Sequence, residues 1–230
     1  SPSLRADSIS SFSLSLENGF LCYVTAGSRC ILRFFSLHDL CTFDPLLGAD
    51  GNHFLDGYEP RNVERGSRLV AVLAQKPTVV LQMPRGNLEI IYPRALVLRH
   101  AMLGTQERRY KETFELMRRH KVDLNLIVDM DPYHFLEGGG VTSLVEQIES
   151  IDHLNLFISC LQNWNSTAER YEIPRWIRGQ NGRNNGGAFD FAIKVNQVCR
   201  GVRSVMIEAE RTGRTNGGRS VETGHYLLPI

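Results

Sequence analysis

Up to about residue 91 the apolar positions come in short runs of four to seven residues rich in Val, Ile, Phe and Leu, which is the pattern of half-buried strands. The runs are Phe20–Thr25, Arg29–Phe35, Arg68–Leu73, Thr78–Gln82 and Leu88–Ile91. Turn formers separate them: Ala26-Gly27-Ser28, Gly66-Ser67, Gln75-Lys76-Pro77 and Pro84-Arg85-Gly86-Asn87. Five short strands with connections of this length predict antiparallel hairpins whose edges something else must cover. The Asp- and Gly-rich stretch around Asp44–Tyr58 reads as an insertion or a loop.

From Pro93 the period changes to that of a helix. Tyr110, Phe114 and Met117 stand at i, i+4 and i+7, and Val141, Leu144, Val145 and Ile148 at i, i+3, i+4 and i+7. Leu154, Phe157, Ile158 and Leu161 repeat that spacing. The longest stripe runs through Phe191, Val195, Val198, Val202, Val205, Met206 and Ala209, with Asp190 as its expected N-cap and Gly213 as its expected stop. Asp131-Pro132 reads as a cap followed by a first-turn proline, and Asp152 as the cap of the helix that holds Leu154. Short amphipathic helices cannot bury such stripes alone, so they are expected to stack as an α-solenoid. Residues 171–189 are dense in Gly, Asn and Arg and predict a flexible linker. The expected organisation is therefore mixed, β then α: hairpins over 1–91, solenoid helices over 92–170, the linker over 171–189 and further helices over 190–230. The terminal Gly224–Ile230 begins another apolar stretch and stops, as expected of a truncated chain.

Composition adds limits. A chain that is 42% hydrophobic and 22% charged is an ordinary globular one, and no apolar run approaches the roughly 20 residues of a membrane helix. Five cysteines, Cys22, Cys30, Cys41, Cys160 and Cys199, are an odd number in a chain with core enough to need no staples, which points to reduced thiols and a cytoplasmic setting. The net charge of +1 is unevenly spread: −1 over residues 1–84, +5 over 85–121, −8 over 122–172 and +5 over 173–230. Alternating blocks suit electrostatic docking to partners, and they equally describe solvated helix faces.

Catalytic patterns are weak. Gly213–Ser220, GRTNGGRS, nearly fits the phosphate-cradling G-x-x-x-x-G-K-[ST], but it follows a helix instead of leaving a buried strand, and Arg219 replaces the lysine. A nucleotide hydrolase built on it is the least favoured alternative. His38 and Cys41, with Cys22 and Cys30 before them, resemble half of a metal site without the spacing of zinc ligands, so neither a metal nor a cofactor is expected. Asp129 and Asp131 are better explained as helix caps than as an acid and base pair. Asn165-Ser166-Thr167 is a glycosylation sequon only in a secreted chain. The basic cluster Arg108, Arg109, Lys111, Arg118, Arg119, His120 and Lys121 is the remaining candidate, with Arg108 and Lys111 on one helical face at i, i+3. It suits contact with phosphate groups or with a partner, or a solvated face balanced by Glu107, Glu112 and Glu115.

Three segments bear a resemblance: Arg61–Leu98 (RNVERGSRLVAVLAQKPTVVLQMPRGNLEIIYPRALVL), Tyr110–Pro132 (YKETFELMRRHKVDLNLIVDMDP) and Val145–Leu161 (VEQIESIDHLNLFISCL). Together they resemble the Elongator complex protein 1 family, the large scaffold subunits of Elongator. The resemblance implies a WD-type β-propeller, here partial, leading into a helical solenoid, with Pro84–Glu89 at the closing strand's turn and Ala95–Leu103 and Tyr110–Met117 as the opening helices. It further implies a non-catalytic scaffold, in the cytoplasm and in some settings the nucleus, for an assembly that modifies the wobble uridine of tRNA. Its partners would be the other Elongator subunits, with tRNA met indirectly or weakly, no membrane, and a homodimer formed through a region beyond this chain. The rival reading of the same architecture is an adaptor of vesicle-coat type.

Overall fold

A computed structural model of the 230-residue chain describes residues 8–27, 29–37, 60–171 and 189–212. The chain divides into two compact units, residues 1–100 and 101–230. His38, Cys41, the Asp44–Tyr58 stretch, the core of the expected linker and the Gly213–Ser220 loop lie outside the described residues.

In the first unit, strands β1 (Ile9–Ser15), β2 (Phe20–Thr25), β3 (Cys30–Ser36) and β4 (Arg61–Val63) form an antiparallel sheet in chain order. Strands β5 (Arg68–Val72), β6 (Val79–Gln82) and β7 (Leu88–Ile91) form a second. All five expected strands are present, and β1 and β4 are additional. Tight turns set the registers. Gly86, at φ +89°, donates its N–H to the Met83 carbonyl, a left-handed geometry that glycine adopts without strain. Asn18 closes the β1–β2 turn by donating to Ser15 Oγ at 2.9 Å and to the Leu73 carbonyl at 2.8 Å.

The core of this unit lies between the sheets. Phe20, Cys22, Val24, Leu32 and Phe34 of the first meet Leu69, Val79, Leu81 and Ile91 of the second, with Ala95 and Leu96 beside them. β1 inverts the usual arrangement, for Ser15 is buried while Phe12 is 69% and Leu14 54% exposed. The inward serines are used: Ser11 Oγ accepts a hydrogen bond from the Leu69 amide at 2.7 Å. On the second sheet Val70, Leu88, Ile90 and Tyr92 are likewise at least half exposed.

Antiparallel strands are followed by helices. Helix α1 (Arg94–Gln106) contains the division between the units. The second unit continues with α2 (Tyr110–Arg119), α3 (Leu126–Asp129), α4 (Pro132–Leu136), α5 (Gly140–Gln147), α6 (Ile151–Cys160), α7 (Ser166–Glu169) and α8 (Lys194–Arg211), the last preceded by a 3-10 turn at Phe191–Ile193. α5 packs on α2, α4 and α8, and α8 also packs on α4 and α6. The expected stripes are the buried ones: Tyr110, Phe114 and Met117 on α2, Val141 and Leu144 on α5, Leu154 and Phe157 on α6. Gly104 lets α1 and α2 approach closely, since a Cβ there would overlap Thr113 Oγ1.

Side-chain caps start α4, α6, α7 and the 3-10 turn. Asp131 accepts from the His134 amide at 3.0 Å with Pro132 in the first turn, and Asp190 caps the 3-10 turn through Ala192 at 2.9 Å. The cap of α6 is Ser150, which accepts from the His153 amide, and not Asp152. The preceding serine is already in extended geometry, so Asp152 sits inside the first turn, where its charge favours the helix dipole without bonding a free amide. Asn165 caps α7 by accepting from Thr167 N and Thr167 Oγ1, which gives the sequon a structural use.

Candidate docking surface

The basic cluster divides into a saturated half and an open half. Arg108 lies in the turn between α1 and α2 at φ +56°, so it is not helical and does not share a helix face with Lys111. Its guanidinium donates to His134 Nε2 from Nη2 at 2.6 Å and from Nε at 3.0 Å. Arg109, next to it, is held by Glu107 at 2.7 Å and by Glu112 at 2.8 Å. The Glu112 hydrogen bond pushes the Arg109 guanidinium further up from its already high range. Lys111 pairs with Glu149 on the α5–α6 turn at 2.9 Å, and that contact raises the ammonium and lowers the carboxyl. Exposed pairs of this kind add little to stability because solvent screens them, but they leave these cations already engaged.

Arg118, Arg119 and Lys121 differ. They stand exposed in the last turn of α2 and just beyond it, and make no ion pair among the described residues. Lys121 is at φ +54°, where the chain leaves the helix. The structure thus brings together only part of the sequence cluster as an available cationic surface.

Between α1, α2 and α4 lies a cavity of about 300 Å³ lined by Leu103, Gln106, Tyr110, Ile127, Asp131 and Phe135, among others. Gln106 Nε2 is buried without a hydrogen-bond partner among the described residues. Burial pushes the Tyr110 phenol up from its ordinary range. Among the described residues no three His, Cys, Asp or Glu side chains gather as metal ligands, and no helix is long and apolar enough to cross a membrane. Cys22 and Cys30 are free and buried on β2 and β3, with burial pushing the Cys22 thiol up to about 12.

The polar group that sequence reasoning passed over is Lys194. It is 0% exposed, at the first position of α8. Its ammonium donates to Asp129 Oδ1 at 2.8 Å, Asn125 Oδ1 at 2.9 Å and the Trp164 carbonyl at 2.7 Å, so all three hydrogens are used. Asp129, expected to cap its own helix, instead lies buried at the end of α3 and reaches two others. Oδ1 takes Lys194, and Oδ2 accepts from the Ser166 amide at the start of α7 at 2.8 Å. Asn125 accepts from the Gln162 amide at 2.9 Å and donates to the Cys160 carbonyl at 2.9 Å and to Asp123 Oδ1 at 2.7 Å. The available signal was a lysine four residues before Val198 on an apolar stripe, and Asn125 and Asp129 within the apolar run Leu124–Met130.

Comparison with known proteins places these elements. A family model described as ELP1 alpha-solenoid matches residues 94–215. Elongator complex protein 1 of Oryctolagus cuniculus is 35% identical over 225 residues, which are 98% of this chain and 15% of that protein. The Rattus norvegicus protein of the same name is 37% identical over 201 residues, 87% of this chain and 14% of the relative. The Saccharomyces cerevisiae protein is 40% identical over 161 residues, 70% and 11% respectively. The chain therefore spans only 11% to 15% of the length of these curated relatives. A model match from α1 past the end of α8, with the strands also inside the rabbit alignment, means that the chain belongs to the ELP1 α-solenoid family.

Proposed function

We propose that the chain serves as a non-catalytic scaffold within the Elongator complex, holding other Elongator subunits through its surfaces and supporting tRNA wobble-uridine modification indirectly. The match of the helical half to the ELP1 α-solenoid carries this reading. Its helices direct their apolar stripes inward and, apart from the buried Lys194–Asp129 pair, most of their charges outward, as a body that works through its exterior requires. Residues 1–91 act as part of a β-propeller. Their two antiparallel sheets share one core and keep apolar outer faces, as blades do when sheets stack radially. Residues 92–170 and 190–230 are solenoid segments on either side of the linker, and the working compartment is the cytoplasm, with the nucleus in addition.

Of the six cationic positions, Arg118, Arg119 and Lys121 contact an anionic partner group, because Arg108, Arg109 and Lys111 are engaged within the chain. Affinity purification of the full-length protein with mass spectrometry tests the whole: Elongator subunits are the expected recovery. Coat subunits in their place would overturn it. Joint replacement of Arg118, Arg119 and Lys121 by alanine is expected to weaken partner capture and flatten its salt dependence.

A further inference from the structure

We propose that the buried Lys194–Asp129 pair is a register lock, which selects one position of α8 along its groove and is not a source of net stability. The apolar stripe of α8 is nearly repetitive. Val195, Val198, Val202 and Val205 recur at three- and four-residue spacing, with Met206 and Ala209 continuing the face. A helix displaced by one turn, about 5.4 Å, would bring Val198 to the place of Val202 or of Lys194, setting valine on valine at one buried position in either direction, with Val195 or Arg203 taking the place of the buried Cys199. Packing of one valine in place of another discriminates poorly between such positions.

Lys194 discriminates. Its three acceptors come from distant parts of the unit: Asp129 is 65 residues away in sequence, Asn125 is 69 and Trp164 is 30. Their geometry matches one ammonium position, and the pair is sealed from water on both sides, with Lys194 and Asp129 side chains each at 0% exposure. A slip one way would leave a carboxylate, an amide oxygen and a carbonyl facing Val198, and a slip the other way would carry the ammonium into the apolar place of Val198, in either case with the buried partners left unmatched. Desolvation offsets most of the attraction within such a pair, so its effect falls on the wrong registers more than on the right one. A second contact agrees with this position. At Gly201 a Cβ would come within 3.3 Å of Val141 on α5, and a slip would place Gln197 or Val205 there. The register fixes which side chains of α8 face outward, Arg200, Arg203 and Ile207 among them.

The test is a double-mutant cycle in the 230-residue chain with Lys194→Met, Asp129→Asn and both together. Asparagine keeps an oxygen for the Ser166 amide. Denaturation midpoints and hydrogen exchange of 194–211 are both measured. Each single change strands a buried group, so at least a tenfold loss of exchange protection in α8 is expected, with a lowered midpoint. The double variant is expected to return to the wild-type midpoint while α8 still exchanges at least tenfold faster than in the wild type. If the singles do not fold, cooperative folding of the double variant at the wild-type midpoint supports the lock. Wild-type protection of α8 in the double variant would mean that apolar packing alone sets the register and would overturn the proposal. A double variant as destabilised as the worse single, or one that does not fold, would make the pair a stability element and overturn it equally.

Discussion

The strand unit and the helical unit solve the problem of apolar surface differently. The sheets bury Phe20, Leu32, Val79 and Leu81 between them, yet show Phe12, Leu14, Leu88 and Ile90 on other faces, each more than half exposed. The helices bury one stripe each, and the polar groups that fall inside, Lys194, Asp129 and Asn125, find partners there. A sheet has two faces and needs a neighbour on both, whereas an amphipathic helix is complete once its single stripe is covered. The first unit therefore depends on additional cover in a way that the second does not.

Separating the units breaks the comparison most directly. Residues 1–90 alone are expected to give no cooperative unfolding transition and to aggregate through their open faces, while residues 92–212 melt in one transition by circular dichroism. A sharp transition with strong near-ultraviolet dichroism from 1–90 would remove the contrast. Next in size, Phe157→Ala in the core of the helical unit should cost about 3–5 kcal/mol in denaturant titrations, since its ring is 0% exposed. Gly104→Ala should cost about 1–3 kcal/mol by overpacking against Thr113, read from the same titrations. The smallest effect is expected on the outer face of the second sheet. Leu88→Lys with Ile90→Lys should shift the stability of the 230-residue chain by no more than about 0.5 kcal/mol, while raising its solubility by light scattering. A large loss there would mean that this face is already covered.

Periodicity made both halves legible, because it reports which face of an element is buried. The helical stripes at Tyr110–Met117 and Leu154–Phe157 and all five expected strands follow from it. β1 escaped because its alternation is reversed, with serines inward and Phe12 and Leu14 outward, so its sequence gives no sign of which side is the core. β4 is only three residues long and its partner in the sheet is far off in sequence. The basic cluster was visible as charge, but its division was not. Arg108 leaves the helix through a left-handed turn, and Glu149 approaches Lys111 from another helix pair. The Lys194 network was hidden for the same reason: its members lie 30 to 69 residues apart.

Asn125 draws these long separations into one side chain. Its amide spends both hydrogens, on Asp123 and the Cys160 carbonyl, and its oxygen receives two more, from Gln162 and Lys194. With every valence occupied, the site rejects even the isosteric aspartate, which would turn two donors into lone pairs aimed at a carbonyl and a carboxylate. The least conspicuous exchange, one nitrogen for one oxygen, is thus among the worst this unit could suffer.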